Sequence, residues 1–170
     1  MAAVAVLVTN LFEDSEYIHP TDAFRKAGHR VIPIGVTAGE TVWGKTDHTP
    51  VAIERAVAES SVDDFDALLI PGGYSPDKLR VDAAVVAFVH DFVASGKPVF
   101  LICHAPQLLI TAQVLSNRTV TGYASIVQDI RNAGATYVDA EVVEDGNLIS
   151  SRNPGDLAAF TRAALRRLAA

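Results

Sequence analysis

The sequence has one cysteine, Cys103, among 170 residues. No internal disulfide can form, which suits a reducing compartment, so a cytoplasmic protein is expected. Long apolar runs are missing too. None approaches the roughly 18–20 residues that span a bilayer. The opening run Val4-Ala5-Val6-Leu7-Val8 is short, lacks a basic flank and gives way to Thr9-Asn10. It reads as a buried strand rather than a signal peptide, and no membrane partner is expected. Positive charge is not in excess: 14 Lys and Arg against 20 Asp and Glu leave a net charge of −6. Nucleic-acid binding needs a basic face, so nucleic acid is not expected as a main partner. No spacing of His, Asp or Glu argues for a metal site. Pro71-Gly72-Gly73-Tyr74-Ser75 lacks the Lys and Ser/Thr arrangement of a phosphate-cradling loop. Neither metal nor cofactor is expected. Repeats, low-complexity tracts and linkers are absent, which leaves a single domain over residues 1–170.

What is present is an alternation of short apolar runs with helical patterns, in a chain that is 49% hydrophobic. Strands are expected at Val4–Val8, Arg30–Val36, Asp66–Ile70 and Pro98–Ile102. Helical spacing of Ile18, Phe24 and Ala27 runs to a stop at Gly28. Val85, Val89, Phe92 and Val93 share the face of a helix that ends at Gly96. A further helix is expected over Pro106–Leu115. Arg118–Thr121 is a short strand, and Ile126–Ala133 a helix closed by Gly134. A hairpin turns at Glu144-Asp145-Gly146. Asn153 caps a last helix with Pro154 in its first position. The early strands are continuously apolar, as strands covered on both faces are. The expected fold class is α/β, a doubly wound domain with a mainly parallel sheet, and its site lies beyond the carboxyl ends of the strands.

Cys103 follows the fourth of these strands directly, and a helix starts at Pro106. A thiol at a helix mouth is expected to ionise below its usual range of about 8.5, and a sharp strand-to-helix turn exposes it above the sheet. The competing reading is a small buried hydrophobe. His104 is either a base or a surface residue, since neighbouring side chains in an extended segment point apart. Glu16 lies just past the first strand and within reach of the same crevice; otherwise it is a surface helix residue. Glu13 is a weaker candidate, a helix-start charge or an interface residue. Gly72 and Gly73 permit close backbone approach. With His104 they offer N–H groups for an oxyanion, or they form a plain tight turn. Trp43 and His48 share a loop and receive no role. His19, His29 and His90 read as helix or surface residues.

Several separated segments resemble the PfpI intracellular protease family of the DJ/PfpI superfamily, in its bacterial general-stress branch. They are Phe12-Glu13-Asp14-Ser15-Glu16, Asp66 to Gly73, Gly96-Lys97-Pro98-Val99, Ile102-Cys103-His104-Ala105-Pro106-Gln107, and the tail from Glu141 to Arg152. The resemblance implies a flavodoxin-like sandwich, a cysteine at a strained elbow, and a homo-oligomer, either a dimer or a ring of dimers. It implies Cys103 as nucleophile with Glu16 beside it. A facing glutamate and thiolate repel, so a protonated Glu16 donating to sulfur is expected. Asp77 matches a position where protease members carry a glutamate, supplied by a neighbouring subunit to pair with the histidine after the cysteine. The shorter side chain puts protease-type chemistry in doubt. Ala105 stands where PfpI has glycine, and its methyl group is expected to be tolerated even if it narrows the site.

Family members are described as proteases, glyoxalases acting without glutathione, protein deglycases or stress chaperones. The expected function is therefore a cysteine-dependent stress-response enzyme. It acts on a small aldehyde or glycated protein, or on a peptide substrate through an acyl-enzyme. The alternative is a redox-responsive protein in which Cys103 is oxidised without turnover.

Overall fold

A computed structural model describes residues 1–170. In chain order its elements are β1 (Ala3–Leu7), α1 (Asp14–Lys26), β2 (Arg30–Gly35), β3 (Thr41–Trp43), β4 (Pro50–Ala52) and β5 (Arg55–Ala56). Next come β6 (Ala67–Ile70), α2 (Ser75–Leu79), α3 (Ala83–Ala94), β7 (Val99–Ile102) and α4 (Pro106–Thr111). The last are β8 (Thr119–Val120), α5 (Val127–Asn132), β9 (Thr136–Tyr137), β10 (Val143–Asp145), β11 (Leu148–Ser151) and α6 (Leu157–Ala169).

Seven strands form one sheet in the order β10-β11-β7-β6-β1-β2-β5. All neighbours are parallel except the β10–β11 hairpin. The chain winds from β1 outward to β2 and then returns to place β6 on the other side of β1, so strand order reverses between β1 and β6. In open α/β sheets a crevice lies beyond the strand ends at such a reversal.

Each central strand alternates between two buried clusters, which explains its unbroken apolar run. Ala5, Leu7, Leu68, Ile70, Val99 and Leu101 belong to a cluster of 26 buried residues beneath α3, α4 and α5. Val4, Val6, Leu69, Phe100 and Ile102 belong to one of 19 on the side of α1 and α6. With a layer on both faces, no strand position can be polar without a buried partner.

Several elements depart from the sequence pattern. The first helix begins at Asp14 and buries Asp14, Glu16, Tyr17, Pro20, Thr21 and Phe24. Of Ile18, Phe24 and Ala27, only Phe24 is buried; Ile18 is 39% exposed. The helix after Cys103 stops at Thr111, because Gln113 adopts φ +58° and turns the chain. The hairpin turns one residue later than expected. Asp145 faces Leu148, so Gly146 and Asn147 form the turn, with Gly146 at φ +55°. Asn153 caps a 3-10 turn over Pro154–Asp156 by accepting from the Gly155 N–H at 2.9 Å, and α6 follows that turn. Two small pairs lie outside the main sheet: antiparallel β3–β4 and parallel β8–β9. No helix is long and apolar enough to cross a membrane.

Phe100 tests the core. It is fully buried and its ring lies 5.9 Å from that of Phe24. Phe100→Ala is expected to lower unfolding free energy by about 3–5 kcal/mol in urea denaturation. Val81→Ala, at a position 86% exposed, is expected to stay within about 0.5 kcal/mol.

Candidate functional site

Cys103 is the first residue past β7 and takes φ +64°. For a side chain with a Cβ this left-handed conformation costs about 1–2 kcal/mol. Backbone bonds hold it on both sides. Its N–H donates to the Ser151 carbonyl at 3.0 Å, and its carbonyl accepts from the Tyr123 N–H at 2.8 Å. The turn also corrects the extended-segment expectation for His104. The Cys103 Sγ and His104 Nδ1 atoms are 3.2 Å apart. Ala105 points the other way, into the cluster beneath α3 and α4, and does not narrow the site.

Glu16 projects from the first turn of α1 beneath the sulfur and is fully buried. Its Oε1 accepts from the Gly72 N–H at 2.9 Å, while Oε2 has no hydrogen-bond partner. A Cβ at residue 72 would sit 2.5 Å from Glu16 Oε1 and 2.7 Å from the Cys103 Cβ. Glycine is therefore required there by close approach. The Gly72 N–H is engaged by Glu16, so it is not free for an oxyanion, which corrects the expected role of that residue. The Gly73 and His104 N–H groups face the sulfur instead. Gly73 stands at φ +73°, bridged to Phe12.

Burial pushes the Glu16 carboxyl up to about 8, reinforced by the Glu13 charge and opposed by the Gly72 N–H. Burial also pushes the Cys103 thiol up to about 12, together with the Glu16 charge, against the N–H groups of Gly73 and His104. Burial and the Glu16 charge thus work against the lowering expected from the helix mouth. α4 has only six residues, and burial is the largest influence on the thiol. At neutral pH Glu16 is protonated, its repulsion of a thiolate is gone, and its proton faces the sulfur. Burial likewise lowers the pKa of His104, with the Lys45 charge acting in the same direction and Asp77 opposing. The His104 ring stacks on Tyr123 at 4.8 Å, and its Nε2 lies 3.3 Å from Ser125 Oγ.

Glu13, Glu16, Lys45, Gly73, Tyr74, Cys103, His104, Tyr123 and Pro154 line a cleft of about 400 Å³. Cys103 is buried, with 6% of its surface exposed, and it lines this cleft together with Glu16. Asp77 lies outside this cleft, on α2, exposed and 3.7 Å from Arg80. No three His, Cys, Asp or Glu side chains converge as metal ligands would.

Lys45, Tyr74 and Tyr123 are cleft residues that the sequence pattern does not single out. Lys45 arrives on the loop between β3 and β4, and its Nζ lies 3.1 Å from Glu13 Oε2. Trp43, in the same segment, is 49% exposed and does not line the cleft. His48 is exposed. The remaining histidines stand apart from the site. His19 contacts Thr161, His29 accepts from the Ala2 N–H, and His90 contacts Asp91.

Known proteins resemble this chain along almost its whole length. The family model described as "DJ-1/PfpI family" matches residues 2–167. Protein/nucleic acid deglycase 2 of Escherichia coli is 54% identical over 168 residues, covering 98% of each chain. General stress protein 18 of Bacillus subtilis is 49% identical over 166 residues, covering 97% of this chain and 96% of its own. Among solved structures, a two-domain Anabaena variabilis protein with DJ-1/ThiJ/PfpI-like and ferritin-like domains superposes with a TM-score of 0.97 at 41% identity. The match covers 99% of this chain and 48% of that one. With that span matched and the fold shared, the chain belongs to the DJ-1/PfpI family.

Proposed function

We propose that the protein is a cysteine-dependent enzyme acting on small reactive carbonyls, such as methylglyoxal, and on the early adducts they form on protein. The observation that carries this reading is Glu16 Oε2, an oxygen of a fully buried carboxyl that meets no N–H or hydroxyl of the protein and is left facing the Cys103 thiol. A group held neutral by burial, with one oxygen left over, is suited to carry a proton.

With a 2-oxoaldehyde the steps balance without an oxidant. The Cys103 sulfur adds to the aldehyde carbon, and the thiol proton passes by way of Glu16 to the carbonyl oxygen, giving a hemithioacetal. Glu16 then moves a proton from that carbon to the adjacent carbonyl carbon through an enediol, leaving a thioester of the hydroxyacid. Water cleaves the thioester, releasing the hydroxyacid and restoring the thiol. The Gly73 and His104 N–H groups, which face the sulfur, are the donors proposed to meet the oxyanion formed beside it. A cleft of about 400 Å³ suits such a substrate. The name of the E. coli relative supports deglycation; its mention of nucleic acid runs against the net charge of −6 here.

Peptide hydrolysis asks for a base supported by a carboxylate. Within the chain His104 has Ser125 as its partner, and Asp77 is turned to Arg80. We propose that Asp77 reaches a His104 only from a second copy, in a dimer or ring of dimers. Exposed Leu11, Trp43 and Tyr74 lie in segments joined by backbone bonds from Leu11 to Trp43 and from Tyr74 to Leu11. Light scattering reads this directly, and a monomer at working concentration removes Asp77 from the proposal.

Turnover of methylglyoxal and of fluorogenic peptides is compared in wild type, Cys103→Ser and Glu16→Gln. Cys103→Ser is expected to abolish activity with the fold intact. Glu16→Gln is expected to lower aldehyde turnover by roughly a hundredfold or more. Full activity in either variant overturns the assignment. Negligible turnover, with a two-oxygen mass gain at Cys103 under peroxide, replaces it by redox sensing.

The pH dependence has a definite sign. Glu16 titrates at about 8 and Cys103 at about 12, so the pair sheds its first proton near pH 8. Iodoacetamide alkylation, which needs thiolate, is expected to rise with pH and bend near 8, whichever atom holds the remaining proton. In Glu16→Gln the bend is expected to move upward, since the sulfur alone then ionises. A bend unmoved by the substitution shows that Glu16 and Cys103 do not share protons.

A further inference from the structure

Nine residues line the cleft, and Lys45 is the only Lys or Arg among them. Its setting is unusual for a lysine in a surface loop, because the chain on both sides of it is fixed. The anchor is Asp14, which is 1% exposed and lies outside the cleft. Its carboxylate accepts from the Thr46 N–H at 2.9 Å and from the Thr49 N–H at 3.0 Å. Gly44 packs onto the same carboxylate so closely that a Cβ there would collide with it. The Lys45 N–H itself donates to the Phe12 carbonyl at 2.9 Å, and the Gly44 N–H to Thr49 at 2.9 Å. Burial would raise the Asp14 carboxyl, but bonds from Thr49, Thr46 and Asp47 hold it at about 2, so the anchor stays charged throughout the neutral range.

The ammonium is only partly used. Nζ lies 3.1 Å from Glu13 Oε2 and 5.8 Å from the centre of the Tyr74 ring. A lysine carries three donors, and one faces Glu13. The carboxylate opposite has one partner on each oxygen: Glu13 Oε2 meets Lys45, and Oε1 accepts from the Ser15 hydroxyl at 3.3 Å. Lys45 therefore keeps donors free in the cleft, and an anion entering it meets no other Lys or Arg. At neutral pH Glu16 adds no charge to offset this.

We infer that Lys45, held over the cleft by Asp14, is a specificity-determining residue that draws and orients carbonyl substrates bearing a carboxylate. Asp14 is a positioning residue and acts only through the loop. The inference rests on the reading of the Cys103 cleft as the reaction site, and it adds to that reading a preference for small carbonyl compounds that carry a carboxylate over neutral ones. It applies equally to a carboxylate product leaving the same cleft.

The test uses two alkylating probes of similar size and opposite character. Iodoacetate is anionic and iodoacetamide is neutral, and both report on the Cys103 thiolate. The readout is the ratio of their second-order rates at one pH and low salt. Lys45→Met is expected to lower the iodoacetate-to-iodoacetamide ratio by roughly threefold to tenfold. Lys45→Arg is expected to retain it, and Glu13→Gln to raise it. Asp14→Asn is expected to move the ratio part of the way towards that of Lys45→Met, although the lysine is still present. Added salt is expected to shrink the wild-type ratio. Gly44→Ala disturbs the same lock from the other side and serves if Asp14→Asn does not fold. An unchanged ratio in Lys45→Met overturns the inference. A wild-type ratio in folded Asp14→Asn and Gly44→Ala overturns the positioning role. Because the probes need no turnover, a protein inert towards every aldehyde still gives a clear answer about Lys45.

Discussion

The site depends on the removal of one carboxyl group from water. Glu16 sits at the start of α1, under the turn that carries Cys103, with a single N–H for company. A charged carboxylate there is penalised by desolvation, so the group holds its proton through the neutral range. The glycine at residue 72 leaves room for that carboxyl, the reversal of strand order opens the crevice above it, and the strained backbone at Cys103 turns the sulfur towards it. Were Glu16 exposed, it would ionise at ordinary pH and repel the thiolate it faces.

Much of this was legible in the chain. The continuous runs Ala67 to Ile70 and Val99 to Ile102 announced strands covered on both faces, because each residue needs an apolar layer on whichever side it points. Cys103, Glu16 and the Gly72-Gly73 pair fell at strand ends, where a doubly wound sheet places its crevice. Other features left no comparable trace. Ile18 and Ala27 suggested the wrong face of α1, since that helix buries Asp14 and Glu16 for reasons of chemistry rather than hydropathy. Lys45 looked like any loop lysine, because its anchor lies 31 positions away in the chain and acts through backbone N–H groups. The raised thiol also escaped a reading based on the helix mouth, which takes account of local dipoles but not of the apolar cluster around the sulfur.

Two acidic neighbours on α1 meet opposite fates. Asp14 and Glu16 are both buried, and burial disfavours the charge on each. Asp14 is surrounded by donors from Thr46, Asp47 and Thr49 and remains ionised. Glu16 has the Gly72 N–H and a thiol, and stays neutral. The larger desolvation of Glu16 and the smaller number of donors it meets together separate a proton carrier from a structural anion.

The strand bearing the nucleophile takes its outer neighbour from far along the chain. β7 is flanked by β6 on one side and by β11 on the other, and the Cys103 N–H is tied to Ser151. While the chain is being synthesised, the elbow therefore lacks one of its two backbone clamps until nearly fifty further residues have followed. An incomplete chain emerging from the ribosome therefore carries a cysteine not yet held in the left-handed turn beside Glu16.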